Sequence, residues 1–194
     1  MVNNGIPLKN LVIFASGSGS NAEKIFEYFK DSTEVLITHI FSNNPEAGVI
    51  SRAERLAIPC TVFNRAEYKD GTLLKKIQSL NTDWVILAGF LWLIPSDFIQ
   101  AYPQRIVNLH PALLPKFGGK GMYGHFVHEA VVEAGEKESG ITIHFVNQHY
   151  DEGGIIFQSS FAVDPSDTPE DVAKKGQVFE HRDFPKIIAG LVLG

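Results

Sequence analysis

The residue types best suited to chemistry in this 194-residue chain lie at 108–115, which reads Asn-Leu-His-Pro-Ala-Leu-Leu-Pro. Asn108 and His110 stand two apart at the end of an apolar run, so on a strand both side chains leave the same side. The carboxyl ends of parallel strands are where open α/β sheets bind ligands. Pro111 and Pro115 stiffen the exit, and Pro111 biases His110 towards extended backbone. An amide donor beside an imidazole suits a carbonyl carbon turning tetrahedral. The amide can donate to the developing oxyanion, and the imidazole can donate or move a proton. A lone strand-end histidine is more often satisfied by backbone alone, so a partner carboxylate decides between the readings. The candidate is Asp151, in Tyr150-Asp151-Glu152-Gly153-Gly154. A turn folded over the sheet end would let Asp151 orient His110 and stabilise its protonated form. Its plainer reading is a turn aspartate near glycine. Sequence separation cannot bring the two together; only the fold can.

A second signal is Ser16-Gly17-Ser18-Gly19-Ser20-Asn21, between an apolar run and a helical period. A helix start offers unpaired N–H groups and a positive dipole end, and glycines let a phosphate approach the backbone closely. The spacing Gly17-x-Gly19-x-x-Ala22 formally matches the dinucleotide fingerprint. The acid expected at the end of the second strand is replaced by Ser42-Asn43-Asn44, and no Gly-Lys-Ser/Thr makes a Walker loop. A monophosphate is the expected ligand, with a tight turn capped by Ser or Asn as the alternative. The remaining histidines speak less clearly. His144 shares a face with Thr142, His128 and His181 fall in helices, His39 in a strand, and His125 and His149 in loops. No pair has metal-ligand spacing, so no metal is expected. Cys60 has no flanking base and reads as structural, and no Gly-x-Ser-x-Gly elbow is present.

These groups need a scaffold, and the first half supplies one. Apolar runs at 11–14, 35–41, 61–63, 84–88 and 106–109 alternate with helical periods at 21–30, 48–57, 72–80 and 96–101. Strand-helix alternation means a parallel sheet covered on both faces. After an irregular Pro- and Gly-rich stretch at 110–124 comes a helix carrying Val127, Ala130, Val131 and Ala134 at helical spacing. Runs at 139–146 and 155–161 suggest an antiparallel edge. Residues 169–193 read as mostly helical, with Pro185 expected to interrupt. The expectation is a single α/β domain over 1–194: a mostly parallel twisted sheet, helices on both faces and an antiparallel edge in the C-terminal half. Residues 1–8 are expected to be an N-terminal extension.

Composition narrows the classes. With 44% hydrophobic and 20% charged residues the chain is globular. Net charge is −5, with 9 basic against 10 acidic side chains in residues 1–97 and 8 against 12 thereafter. Neither half is basic, which argues against a nucleic-acid partner. No apolar run approaches a membrane span. One cysteine allows no internal disulfide and fits a reducing, cytoplasmic compartment.

Taken together and in order, Ser-Gly-Ser-Gly-Ser-Asn at 16–21, Leu-Ala-Gly-Phe at 87–90, Asn108-x-His110-Pro-x-Leu-Leu-Pro115 and Asp151 before Gly153-Gly154 resemble the 10-formyltetrahydrofolate-dependent phosphoribosylglycinamide formyltransferases. The likeness runs from about residue 9 to 190. It implies the formyltransferase fold and transfer of a formyl group from 10-formyltetrahydrofolate, as co-substrate, to the amine of glycinamide ribonucleotide in purine biosynthesis. It implies Asn108, His110 and Asp151 as the catalytic set, with the oxyanion held by Asn108 and protonated His110. Gly17, Ser18, Gly19, Ser20, Asn21, Gly89, Gln177 and Glu180 would bind the ribonucleotide. Arg65, Leu91, Trp92, Leu93, Val107 and Leu109 would serve the folate, Trp92 by stacking and Arg65 at the glutamate tail. Thr142 and His144 would lie near Asp151. Ala112 replaces a serine frequent in relatives, and 119–125 is longer than in many. Rivals are a formyltetrahydrofolate deformylase, which resembles a longer chain with an N-terminal regulatory domain, and a methionyl-tRNA formyltransferase, with an extra RNA-binding domain. A non-catalytic nucleotide-binding module is the alternative from another class.

Overall fold

A computed structural model describes residues 8–194. The expected N-terminal extension lies, but for Leu8, outside the described residues. Five strands, β1 (Lys9–Phe14), β2 (Val35–Ser42), β3 (Cys60–Val62), β4 (Trp84–Leu87) and β5 (Ile106–His110), alternate with helices α1 (Ser20–Phe29), α2 (Val49–Arg55), α3 (Arg65–Lys69), α4 (Thr72–Ser79) and α5 (Ser96–Ala101). Then come α6 (His125–Glu133), β6 (Glu138–Phe145), β7 (Ile155–Ala162) and α7 (Pro169–Leu193). The strands form one sheet in the order β3-β2-β1-β4-β5-β6-β7. The first five are parallel, and β6 and β7 each run antiparallel to the preceding neighbour.

The central strands read as unbroken apolar runs because both their faces are buried. In β1 and β4, Leu11, Ile13, Trp84 and Ile86 face a layer made with α1, α2 and α7. Val12, Phe14, Val85 and Leu87 face the other, against α3, α4 and α5. That second layer is aromatic: the Phe14 ring lies 5.3 Å from Phe41 and 5.2 Å from Phe90. Chain order reverses between β1 and β4, where doubly wound sheets open a ligand crevice beyond the strand ends. Registers then set the chemistry. Asn108 pairs with His144 and His110 with Thr142 across β5 and β6, so all four side chains share one face.

Three local expectations change. Pro185 does not interrupt the last helix; α7 runs 25 residues through it. A proline costs one backbone hydrogen bond, to the carbonyl of residue 181, and strains that turn. Burial of Phe184, Ile188 and Val192 beside it holds the helix together. Helix α3 was not expected, although Asn64 and Glu67 form a full capping box at its start. His125 opens α6 rather than sitting in a loop.

The loop after β1 depends on one glycine. Gly19 has φ 77°, and a Cβ there would stand 2.5 Å from Val49 Cγ2. Nothing lies within 4 Å of a Cβ placed on Gly17. Gly19→Ala is therefore expected to lose about 2–4 kcal/mol in urea unfolding. Gly17→Ala should stay within about 0.5 kcal/mol of the parent. Equal losses at both positions would refute this account of the loop.

Candidate active site

The glycine loop is pinned at both ends of the switch point. The Ala15 N–H donates to the Phe41 carbonyl at 3.0 Å and the Ser16 N–H to the Gly89 carbonyl at 3.0 Å. The Ser16 hydroxyl donates to Asn43 Oδ1 at 2.7 Å and accepts from the Leu91 N–H at 3.1 Å. Gly19 caps α1 in the left-handed region with no side-chain cap, so the first-turn N–H groups are not taken by Ser or Asn. This favours the anion reading of the loop over a capped turn. Asn21 Nδ2 donates to Glu180 Oε2 at 2.6 Å, and Gln177 Nε2 to Ser20 Oγ at 3.3 Å, tying α1 to α7. Asn21 Oδ1 is buried without a partner. Burial pushes the Glu180 carboxyl up, against the pull of the Asn21 hydrogen bond.

At the end of β5 the fold brings together the three residues singled out from sequence. Asp151 Oδ2 lies 3.6 Å from His110 Nδ1, and its Oδ1 lies 3.6 Å from His144 Nε2. Asp151 Oδ2 also accepts from the Gly119 N–H at 2.9 Å. The turn that carries it is pressed onto β6: a Cβ on Gly153 would fall 1.7 Å from the Phe145 carbonyl oxygen. Burial raises the Asp151 carboxyl, but the positive charge that His110 and His144 can carry and the Gly119 N–H together hold it below the usual range.

His110 Nε2 bonds to the Phe117 carbonyl at 2.8 Å. A carbonyl only accepts, so Nε2 carries the proton and Nδ1 is the free lone pair of the neutral ring. The ring is 3% exposed, and burial keeps it below the ordinary imidazole value despite the pull of Asp151. Burial thus works against the resident imidazolium that the sequence expectation places on His110, while Asp151 works for it. Asn108 Nδ2 meets His144 Nε2 at 3.0 Å, while His144 Nδ1 bonds the Phe145 carbonyl at 2.8 Å. Donation to Phe145 makes Nε2 the acceptor, leaving Asn108 one N–H for a ligand. Thr142 takes a different part from the one expected. Its hydroxyl donates to the Ala112 carbonyl at 2.6 Å and accepts from the Leu114 N–H at 3.0 Å, holding the loop after His110.

A cavity of about 790 Å³ joins the glycine loop to this trio. Of the ribonucleotide candidates, Gly17, Asn21, Gly89 and Glu180 line it; Ser18, Gly19, Ser20 and Gln177 do not, and Ser18 and Gln177 are exposed to solvent. The folate candidates Leu91, Trp92, Leu93 and Leu109 also line it. Val107 does not: it is fully buried in the layer under α1 and α7, whereas Leu109, two residues nearer the carboxyl end of β5, reaches the cavity. Arg65 lies in an adjoining cleft of about 650 Å³. Its guanidinium sits 4.2 Å over the Trp92 ring, so one face of that indole is already covered. Sequence reasoning missed Phe117, Gly119 and His128. The first two act through backbone atoms, which carry no side-chain signal. The third was assigned to its helix without a role. Among the described residues no His, Cys, Asp and Glu cluster could hold a metal, and no helix is long and apolar enough to cross a membrane.

Several known proteins are similar to this chain. Residues 9–188 match the family model described as formyl transferase. A chloroplastic phosphoribosylglycinamide formyltransferase of Arabidopsis thaliana is 43% identical over 94% of this chain and 65% of its own length. That of Vigna unguiculata is 39% identical over 94% and 61%. The chain thus spans less than two thirds of these plant relatives. The Bacillus subtilis phosphoribosylglycinamide formyltransferase is 32% identical over 95% of both chains. Among solved structures, a glycinamide ribonucleotide transformylase from Symbiobacterium toebii superposes with TM-score 0.89 at 30% identity, covering 96% of this chain and 89% of its own.

The buried ionisable groups fix how stability responds to acid. Burial lowers His39, His110, His128 and His181 below the ordinary imidazole value. Below about pH 6.5 the unfolded chain therefore binds protons that the folded chain refuses, and stability falls. The lowered Asp151 adds a loss at still lower pH. Glu180, raised by burial, opposes them as pH approaches its folded value. Four histidines outweigh one carboxyl, so the urea midpoint is expected to fall from about pH 7 to about pH 5. His39→Gln should flatten that fall. A midpoint that rises on acidification would contradict the assignment.

Proposed function

We propose that this chain, which belongs to the formyl transferase family, transfers the formyl group of 10-formyltetrahydrofolate to the primary amine of glycinamide ribonucleotide. The observation that carries the reading is one cavity with an uncapped glycine loop at one end and Asn108, His110 and Asp151 at the other. The uncapped loop suits the 5′-phosphate. Glu180 and Asn21 suit the sugar next to it. The apolar wall of Leu91, Trp92 and Leu93 suits a pterin, with Trp92 offering its uncovered face. Arg65, beside that wall, suits the anionic tail of the folate. The substrates are small molecules, and nothing in the reading calls for nucleic acid, membrane or metal. The single cysteine fits a cytoplasmic setting.

The chemistry follows from the atoms present. The amine attacks the formyl carbon and the carbonyl oxygen becomes an oxyanion, accepting the free N–H of Asn108. The attacking nitrogen gives a proton to His110 Nδ1, the lone pair that the Phe117 bond leaves free. Positive charge on His110 thus arises together with the oxyanion, facing the Asp151 carboxylate. The proton then passes to the departing folate nitrogen as its bond to carbon breaks. Holding both substrates in one cavity removes much of the entropic cost of their encounter.

Folate absorbance followed with and without glycinamide ribonucleotide tests the reading. Acceptor-dependent loss of the formyl folate is expected; loss without acceptor would mean a hydrolase, and no change a binding module. Asn108→Ala and His110→Ala should each lower kcat about 10²–10³-fold while still binding the ribonucleotide. Gly17→Ala should chiefly raise the KM for the ribonucleotide. Near-normal turnover in either catalytic variant would overturn the roles given above.

A further inference from the structure

Five imidazoles line the reaction cavity: His110, His125, His128, His144 and His149. His110 and His144 already have tasks. His125 is exposed and 3.7 Å from Glu129, and His149 is exposed in the turn before Asp151. His128 is different. It is 8% exposed, yet its Nδ1 is buried without a hydrogen-bond partner. A buried polar atom left unsatisfied is costly and calls for an explanation. The residue sits on the fourth position of α6, on the same face as His125, and lines the cavity that His110 and Asp151 share.

The proposed substrate has a proton problem that the steps above leave open. A primary amine one carbon removed from a carbonyl ionises near the α-amino value, about 7.7–8.0, so at pH 7 roughly six molecules in seven are ammonium. Ammonium has no lone pair with which to attack. Resting on the proposed reaction, we propose that His128 takes the proton this ammonium must lose before attack. The His110–Asp151 pair is then left free for the tetrahedral step. His128 suits the task because no hydrogen-bond partner claims its ring: the sealed Nδ1 can keep the resident proton, which leaves the Nε2 lone pair as the one able to reach the cavity. Burial keeps the ring neutral, and so do the two imidazoles that act on it, His110 from β5 and His125 one turn earlier on α6. Lys120, Tyr123, His144, His149, Tyr150, Asp151 and Glu180 are the other ionisable groups lining the same space. A cation entering that space loses solvation, which weakens its own hold on the proton.

The step balances. The ammonium gives one proton to neutral His128 and becomes the amine. The amine attacks, the new C–N bond forms, and a second proton travels through His110 to the folate nitrogen as the old C–N bond breaks. His128 returns its proton to solvent, so one proton leaves per turnover of the ammonium form.

The test is the pH dependence of kcat/KM for glycinamide ribonucleotide, from about pH 6 to about pH 9.5, in the parent and in His128→Asn and His128→Gln. An enzyme that deprotonates its own substrate uses both ionisation forms. The parent should therefore change less than about twofold between pH 7 and 9. A variant restricted to the free amine should rise about tenfold per pH unit below the amine's ionisation and about sixfold from pH 7 to 9. It should come within about threefold of the parent at the alkaline end, a recovery that a merely structural residue would not give. Parallel profiles in parent and variants would overturn the role of His128. Should neither variant fold, the parent alone decides: a tenfold-per-unit rise through the amine's ionisation overturns the role, and a flat profile supports it. A parent with no acceptor-dependent turnover at any pH overturns the proposed reaction instead.

Discussion

A single carboxylate, withdrawn from water and shared among three elements, is the constraint the site is built around. Asp151 reaches His110 at the end of β5, His144 on β6 and the Gly119 N–H in the loop before α6. To do so it adopts φ 56°, a left-handed backbone that side chains other than glycine seldom take. The strain is held by the seating of the turn, where Gly153 lets the backbone lie against the Phe145 carbonyl. A carboxylate in so dry a place would be costly alone; its neighbours supply the hydrogen bonds and potential charge that keep it ionised.

The sheet makes that meeting possible. Parallel strands deliver Asn108 and His110 to the carboxyl edge, and the reversal of direction at β6 brings His144 and Thr142 back alongside them. The same reversal puts the Asp151 turn beyond the end of β5 rather than on the far side of the molecule. Thr142 then anchors the exit loop through Ala112 and Leu114, with Gln158 of β7 adding a bond to the Leu114 carbonyl at 3.0 Å. Site geometry and antiparallel edge are therefore one construction. The glycine loop is a second, joined to the first through the cavity floor at Gly89.

Much of this was legible in the residues, and the exceptions have physical causes. The parallel half showed because strands buried on both faces become apolar runs separated by helical periods. Asn108 and His110 showed because their spacing matches the strand period. Asp151 is legible as the candidate partner of His110, but the contact itself is not, since nothing local specifies a contact made by tertiary folding. The α7 reading failed at Pro185 because propensity is local, whereas Phe184 and Ile188 beside it are fixed by packing. Helix α3 was missed although Asn64 and Glu67 announce it; five residues are too few for a periodic signal. Val107 was assigned to the ligand by resemblance, although it lies two residues further than Leu109 from the carboxyl end of β5 and is fully buried. The charge state of His110 could not be read at all, because it depends on a carbonyl seven residues along the chain and on burial.

That carbonyl has one more implication. Phe117 and Gly119 hold the imidazole and the carboxylate through main-chain atoms. Exchanging a side chain leaves such atoms in place, so this stretch can drift in composition while its tethers persist. Changing its length is another matter, because one residue more or fewer would carry carbonyl and amide away from their targets together. Evolution should then treat the segment as a ruler, free in spelling and fixed in count between Pro115 and Gly119.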